Sequence, residues 1–389
     1  MLVDATALNG QVVATDDSRS ARLILQRLQI NRLRNIDSVD LALAAGMNVF
    51  HGPNGAGKTS ILEAIYILAL GKTFRHGRSE NWIQHGQEQA TVIIEYTAEQ
   101  TADQPGQIHH QQQRHRLGLT RGRQQWQAKH DGKSLQSYAE LSSLLPVVLF
   151  QPYSHQLIEA GPEYRRQFLD WGVFHVEPDY LPVWRRYQKA LKQRNACLKN
   201  QASAAVIAAI DPVLARAAQQ LHQYRERFIK LLEENYQRIQ QQLAPDFERI
   251  ELDYTAGFDD PNRLQHDWQQ MLNNDRQRGY TLLGPHRADI RLRTSKRSAR
   301  GWLSRGQQKM VALTMLLAKL AVWQNHAGKG AVLLLDDVQS ELDDYHLQQL
   351  LQLLIDQRQQ VLISGTDPVH SHDLPASMFH VEHGWVTPH

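Results

Sequence analysis

The sequence predicts an α/β fold: a mixed sheet with an antiparallel lobe, plus a helical lobe that carries a short antiparallel helical arm. Three observations predict it. A glycine-rich segment at 52–59 stands between a strand-like and a helix-like stretch, and a continuous apolar run at 331–335 ends in two aspartates. Between them, residues 163–244 are rich in Gln, Arg, Ala and Leu and poor in glycine. Strands alternating with a helix around a glycine turn indicate a βαβ arrangement, whereas a long stretch of three- and four-residue apolar spacing indicates helix.

The elements follow in order. From Leu23, LILQRLQI and then VDLALAAGMNVF alternate as strands that lead into the glycine turn. SILEAIYILAL is apolar on most faces, as a helix buried against a sheet would be. Between about Ala90 and Leu149, the segments ATVIIEY, HRLGLTRG, RQQWQAKHDGK and LPVVLF are separated by turn residues and read as the antiparallel lobe. From Glu163 to Ala244 helices dominate, interrupted mainly at Pro178, Pro182 and Pro212. Leu214, Leu221, Tyr224, Phe228, Leu231, Leu232, Ile239 and Leu243 share one face of a long amphipathic helix that Pro245 ends. At 1.5 Å per residue that arm is about 45 Å long. AVLLLDD and QVLISG then read as buried strands flanking a helix over Leu342–Arg358.

Composition excludes several classes. The single cysteine, Cys197, rules out an internal disulfide framework and points to a reducing compartment. Residues 1–20 lack the basic and apolar regions of a secretory signal and read as a disordered tail. VALTMLLAKLAV is too short for a membrane span and carries Lys319, so no membrane partner and a cytoplasmic location are expected. A net charge of +3 permits nucleic acid without demanding it.

Gly52-Pro53-Asn54-Gly55-Ala56-Gly57-Lys58-Thr59 fits G-x-x-x-x-G-K-[ST], the phosphate-binding loop. Glycines let the backbone N–H groups turn inward as an anion nest at a helix start, where the helix dipole also favours phosphate. Lys58 can then reach the β- and γ-phosphates of ATP, and Thr59 offers a hydroxyl to Mg²⁺. The apolar run 331–335 delivers Asp336 and Asp337 at a strand's C-terminal end, where Asp336 would hold Mg²⁺ and Asp337 polarise the attacking water; taken alone, the same pair is also an ordinary acidic strand cap.

Leu303-Ser304-Arg305-Gly306-Gln307-Gln308-Lys309 opens an apolar helix and resembles the signature motif of ATP-binding cassettes. In that family the Ser hydroxyl and Gly N–H bind the γ-phosphate held by the opposite subunit, which here designates Ser304, Gly306 and Gln307 and implies an ATP-dependent homodimer. Ser304 with Gln307 is also a capping box needing no ligand, and both readings stand. Ser340-Glu341-Leu342-Asp343 resembles the D-loop at the same interface.

The order of phosphate loop, helical insertion, LSRGQQK and LLLDDVQSELD resembles the head domains of the SMC and Rad50 class, an ATP-binding-cassette-type P-loop ATPase head. The helical stretch is too short for their coiled coils. It is similar in length to the RecF family of bacterial recombination and replication-repair ATPases. Leu33-Arg34-Asn35, GPNGAGKTSILEAIYILALGKTFR, GPEYRRQFLD (161–170), ALKQRN (190–195) and GPHRAD (284–289) carry that resemblance. It implies a head over 21–155 and 246–389 with a helical lobe at 156–245. It also implies slow, DNA-stimulated ATP hydrolysis, binding to gapped or single-stranded DNA and junctions, and cooperation with RecR and RecO in loading RecA. Arg34 and Asn35 match positions that approach the nucleotide. Gln151 and Thr366 stand where a Q-loop glutamine and a switch residue would be. Most cassettes have Glu where Asp337 stands, and the shorter side chain predicts slow turnover. A head with a nuclease partner and a transporter ATPase subunit are the alternatives; the former would call for a Cys-x-x-Cys hook, and the latter for a switch histidine.

Three basic stretches are candidates for DNA phosphates, each equally readable as a solvated face. They are 104–130 (Arg114, Arg116, Arg121, Arg123 and Lys129, with Trp126), 180–210 (Arg185, Arg186, Lys189, Lys192, Arg194 and Lys199), and Arg291–Arg305.

Overall fold

A computed structural model describes residues 22–75, 82–99, 112–123, 125–294, 297–327, 330–368 and 376–388. The tail expected at 1–20 lies outside the described residues, as does the 104–111 part of the first basic stretch.

Among the described residues, fourteen strands run in chain order: β1 (Leu23–Leu33), β2 (Ile36–Ala42), β3 (Met47–His51), β4 (Gln89–Glu99), β5 (Gln112–Gly122), β6 (Trp126–His130), β7 (Lys133–Leu135), β8 (Val147–Phe150), β9 (Glu251–Thr255), β10 (Asp289–Arg293), β11 (Val332–Leu335), β12 (Val361–Gly365), β13 (Ala376–Glu382) and β14 (Trp385–Pro388). They form a six-stranded antiparallel sheet in the order β2-β1-β4-β5-β6-β7, a β10-β9 pair, and a central sheet in the order β14-β13-β3-β12-β11-β8. In the central sheet β13, β3, β12, β11 and β8 are parallel.

LPVVLF, expected in the antiparallel lobe, is therefore reassigned: β8 joins the central sheet, parallel to β11. A continuous apolar run suits a strand covered on both faces, and β3 and β11 are likewise buried throughout. Alternate residues of these strands enter two separate cores. Val49, Val148, Phe150, Leu333, Leu335 and Ile363 face the helical side, whereas Phe50, Val147, Val332, Leu334 and Leu362 face the antiparallel sheet and the Lys58–Leu70 helix. The central sheet thus divides the molecule into layers, and its C-terminal strand ends open on one edge.

The long helix runs Asp211–Leu243, and Pro212 initiates it rather than breaking it. Its 33 residues make it about 50 Å long, slightly more than expected. It packs along Tyr180–Lys199 and against Arg305–Val322. Pro182 does not interrupt the first of these, because it sits in the first turn where no intrahelical N–H bond is required. Arg194, read from sequence as a DNA candidate, is fully buried between Asp211 (2.9 Å) and Asp275 (2.6 Å). It is a clamp, and the correction follows from helix geometry: it lies on the face that packs inward.

The GPHRAD segment joins the helical layer to the β10-β9 pair. Tyr187 Oη and His286 Nδ1 are 2.6 Å apart, His286 Nε2 lies 2.9 Å from the Thr281 carbonyl, and Arg165 pairs with Asp289 at 2.7 Å. Burial pushes the His286 imidazole down to about 4. Among the described residues no helix is long and apolar enough to cross a membrane.

Candidate functional site

β3 ends at His51, and the chain then makes the loop 52–57 before entering the Lys58–Leu70 helix. Two positions require glycine. Gly52 has φ 142°, and a Cβ there would lie 2.2 Å from the Val381 carbonyl oxygen; Gly57, which caps the helix, has φ 121°. The loop lines a cleft of about 600 Å³ at the edge where β11 and β12 also end, together with Arg34, Asn35, Arg75, Pro152, Asp336, Asp337 and Ser364.

The two carboxylates arrive from a distant part of the chain. Asp336, almost fully buried, accepts hydrogen bonds at Oδ1 from Thr59 Oγ1 (2.8 Å) and Ser364 Oγ (2.6 Å). Burial pushes its pKa above the usual carboxylate value, opposed by those two hydroxyls. Asp337 occupies the left-handed region at φ 53°, with its N–H donating to Ser364 and its Oδ2 accepting from Ser340 Oγ at 2.7 Å. Lys58 Nζ donates to the carbonyls of Gly52 (2.7 Å) and Pro53 (2.8 Å). Burial holds its pKa below the ordinary lysine value, partly offset by Asp337 and Asp336.

The residues present fit a divalent cation of the magnesium kind. Adjacent oxygens around such an ion, at about 2.1 Å each, stand about 3 Å apart. Thr59 Oγ1 and Asp336 Oδ1 are 2.8 Å apart.

Arg34 and Asn35 line the cleft, but their side chains hold protein groups. Asn35 Nδ2 donates to the carbonyls of Gly55 (3.2 Å) and Ala56 (3.0 Å), and its Oδ1 accepts from Ser60 Oγ. It splints the loop. Arg34 is paired bidentately with Glu63 at 3.0 and 2.7 Å. Glu63, fully buried, also takes Arg75 (3.5 Å) and a very short hydrogen bond from Thr73. Sequence reasoning missed Glu63, Arg75 and Ser364. A lone buried acid inside SILEAIYILAL was the available signal for the first.

Ser304, Gly306 and Gln307 do not line this cleft. Ser304 and Gly306 are exposed, and Ser304 Oγ accepts from Gln307 N–H (3.3 Å) while Gln307 Oε1 accepts from Ser304 N–H (3.0 Å), so the capping box is formed. The same helix is tied to the SELD segment by Lys309–Glu341 at 2.5 Å. Gln151 and Thr366 do not line the cleft. Their neighbours Pro152 and Ser364 do, since Gln151 starts a 3₁₀ turn and Thr366 Oγ1 donates to Asp367 at 2.9 Å.

The basic stretches divide by exposure. Arg185, Arg186, Lys189, Lys192 and Lys199 are exposed on one helix. Arg114, Arg116, Arg123 and Lys129 are exposed on β5, β6 and the turn between them. Trp126 is instead stacked on Tyr138 (centroids 4.4 Å apart), and Arg121 donates to the Tyr138 hydroxyl, so both pack within the lobe. Arg291, Arg293, Arg297 and Arg300 surround a cavity of about 440 Å³, with Arg297 3.9 Å above the exposed Trp302 ring.

The family model described as RecF/RecN/SMC N terminal domain matches residues 24–384. The DNA replication and repair protein RecF of Pseudomonas putida (strain GB-1) is 38% identical over 376 residues, covering 93% of this chain and 98% of that protein. That of Stenotrophomonas maltophilia (strain R551-3) is 36% identical over 365 residues, with the same coverage. Among solved structures, the recombination mediator protein RecF-ATP in the RecFOR pathway superposes with a TM-score of 0.82 at 24% identity, covering 95% of this chain and 100% of that one. An Smc head domain from Pyrococcus furiosus, bound to the C-terminal domain of ScpA, superposes with a TM-score of 0.57 at 15% identity, covering 94% and 96%.

Proposed function

Because the chain belongs to the RecF family, we propose that it is an ATP-driven DNA-repair switch: two copies close on Mg²⁺-ATP, bind gapped or single-stranded DNA, and reopen after slow hydrolysis. One observation carries this reading. Thr59 and Asp336, far apart in sequence, meet at 2.8 Å beside the phosphate loop, the pairing a metal-bound triphosphate requires.

In this reading Lys58 exchanges the Gly52 and Pro53 carbonyls for the β- and γ-phosphates, and the N–H groups of 55–59 cradle the phosphate oxygens. Thr59 and Asp336 would hold Mg²⁺, which would supply positive charge beside the phosphates. Asp337 orients and polarises the attacking water. Arg34 is poised by Glu63 at the rim, and Asn35 keeps the loop in shape. Ser304 and Gly306 of a second copy complete the site. Their exposure, outside their own chain's cleft, supports a role toward a neighbour.

The relatives named for DNA replication and repair, and the ATP-bound mediator of the RecFOR pathway, support DNA, RecO and RecR as partners. Phosphate contacts come from the exposed Arg185–Lys199 face and the Arg291–Arg300 cavity, so binding is salt-sensitive and weakly sequence-specific. Sedimentation of wild type and Lys58→Ala with Mg²⁺-ATP and gapped DNA tests the cycle. Wild type dimerises with ATP and the variant does not; dimers without ATP, or wild-type monomers throughout, overturn it. A turnover well above about 10 s⁻¹ contradicts the role assigned to the shortened Asp337.

A further inference from the structure

A second cluster of ligating side chains stands on the antiparallel sheet. Strand pairing builds it. Tyr96 on β4 is directly opposite His115 on β5, and His130 on β6 is opposite Leu117, two residues along β5 on the same face. The two imidazole rings are 5.3 Å apart and both are largely covered. Asp131 begins the β6–β7 turn, and its Oδ1 accepts the Arg116 N–H at 2.7 Å. That bond fixes the carboxylate. Oδ2 is left aimed at the imidazoles, 2.7 Å from His115 Nδ1 and 3.5 Å from His130 Nε2.

We propose that His115, His130 and Asp131 form a binding site for a divalent transition metal ion of the zinc kind. One histidine pairs directly with the aspartate, and the second, hydrogen-bonded to the Tyr96 hydroxyl, brings its Nε2 to within 3.5 Å of the same oxygen. One ligand atom from each residue lies within 4.8 Å of the others. Ligands about 2.1 Å from a tetrahedral ion stand about 3.4 Å apart, and the observed separations bracket that value. Two imidazoles and one carboxylate select zinc, cobalt or nickel over magnesium, which takes oxygen ligands. The Arg116 N–H orients the carboxylate, as an outer partner of a metal does, and the Tyr96 hydroxyl, 3.0 Å from His130 Nε2, would give up that hydrogen bond to the ion. The half-exposed Asp131 gives an ion access from solvent. A bound ion would clip β5 to β6 across their connecting turn.

The test uses the untagged full chain stripped with chelator, with Co²⁺ and Zn²⁺ chlorides as the only probes. Wild type binds one ion tightly, shows visible Co²⁺ bands, and gains thermal stability with Zn²⁺ but not with equal Mg²⁺. His130→Gln and Asp131→Asn each lower the affinity by at least about 100-fold, the upper end of what even outer partners of a metal cost. Both keep ATP binding and the far-ultraviolet spectrum of wild type. Absence of Co²⁺ bands and of a Zn²⁺-induced shift in wild type overturns the proposal. So does undiminished binding by both variants, which places the ion on other histidines.

Discussion

Replacing Asp336 by asparagine separates what the residue does for folding from what it does for nucleotide. The carboxylate is buried, and burial disfavours its charged form. Asparagine has the same shape and keeps an oxygen for Thr59 and Ser364, at 2.8 and 2.6 Å in the wild type. Those two hydrogen bonds weaken by about 1 kcal/mol each without the charge, while the variant avoids a desolvation cost of several kcal/mol. The nucleotide-free variant is therefore at least as stable as wild type. Ligand stabilisation moves the other way. At a Mg²⁺-ATP concentration 100 times the wild-type Kd, binding adds about 2.7 kcal/mol, and a variant bound 100-fold more weakly gains only about 0.4. At about 2.1 cal/mol/K per residue, the lost 2.3 kcal/mol is a difference of about 3 °C in the ATP-induced Tm shift. Differential scanning fluorimetry with ATP, with and without Mg²⁺, measures both quantities. A variant with markedly lower Tm in the absence of nucleotide, or with an unchanged Mg²⁺-ATP shift, refutes the metal-holding role.

His286 is neutral in the native state down to about pH 4, whereas an unfolded histidine takes up its proton near 6.5. Stability is therefore fully present above pH 6.5 and falls by up to about 3 kcal/mol as pH drops toward 4. Urea midpoints at pH 7 and 4.5 should converge in His286→Gln, and an unaltered pH slope sinks the assignment. Arg194→Met leaves Asp211 and Asp275 unpaired and should cost about 3–5 kcal/mol, read by urea unfolding; a loss under 1 kcal/mol contradicts the clamp. Arg185→Ala with Lys189→Ala should leave stability within about 0.5 kcal/mol. The same pair should flatten the log–log salt dependence of DNA affinity by about one unit of slope for each phosphate no longer neutralised, and a slope identical to wild type removes this face from the interface.

Much of the fold and the centre of the site could be read from the chain alone. Glycine spacing, a buried strand ending in acids and a 33-residue amphipathic helix are local signals, and local signals survive folding. What escaped reading depended on tertiary context. VVLF in β8 has no property that distinguishes an antiparallel edge from a parallel one; only its neighbour β11 decides. Arg194 and Lys192 look alike along the chain, yet the first points to Asp211 and Asp275 and the second to solvent. Asn35 lines the cleft, but its amide splints the loop because Gly55 and Ala56 present carbonyls to it, a contact that its position in the chain does not reveal. The pattern GPHRAD gave no chemistry in isolation, since His286 acquires its role from Tyr187, 99 positions earlier.

In the proposed cycle each nucleotide is shared between two chains, and mixing two defective proteins puts that sharing to the test. Lys58→Ala cannot hold the triphosphate, and Ser304→Arg blocks the helix start that would meet a neighbour's γ-phosphate. A mixed pair, however, contains one intact composite site. Neither variant alone should dimerise or turn over Mg²⁺-ATP in sedimentation and phosphate-release assays, and the equimolar mixture should do both. A mixture as inert as its components would show that Ser304 and Lys58 do not act across two chains.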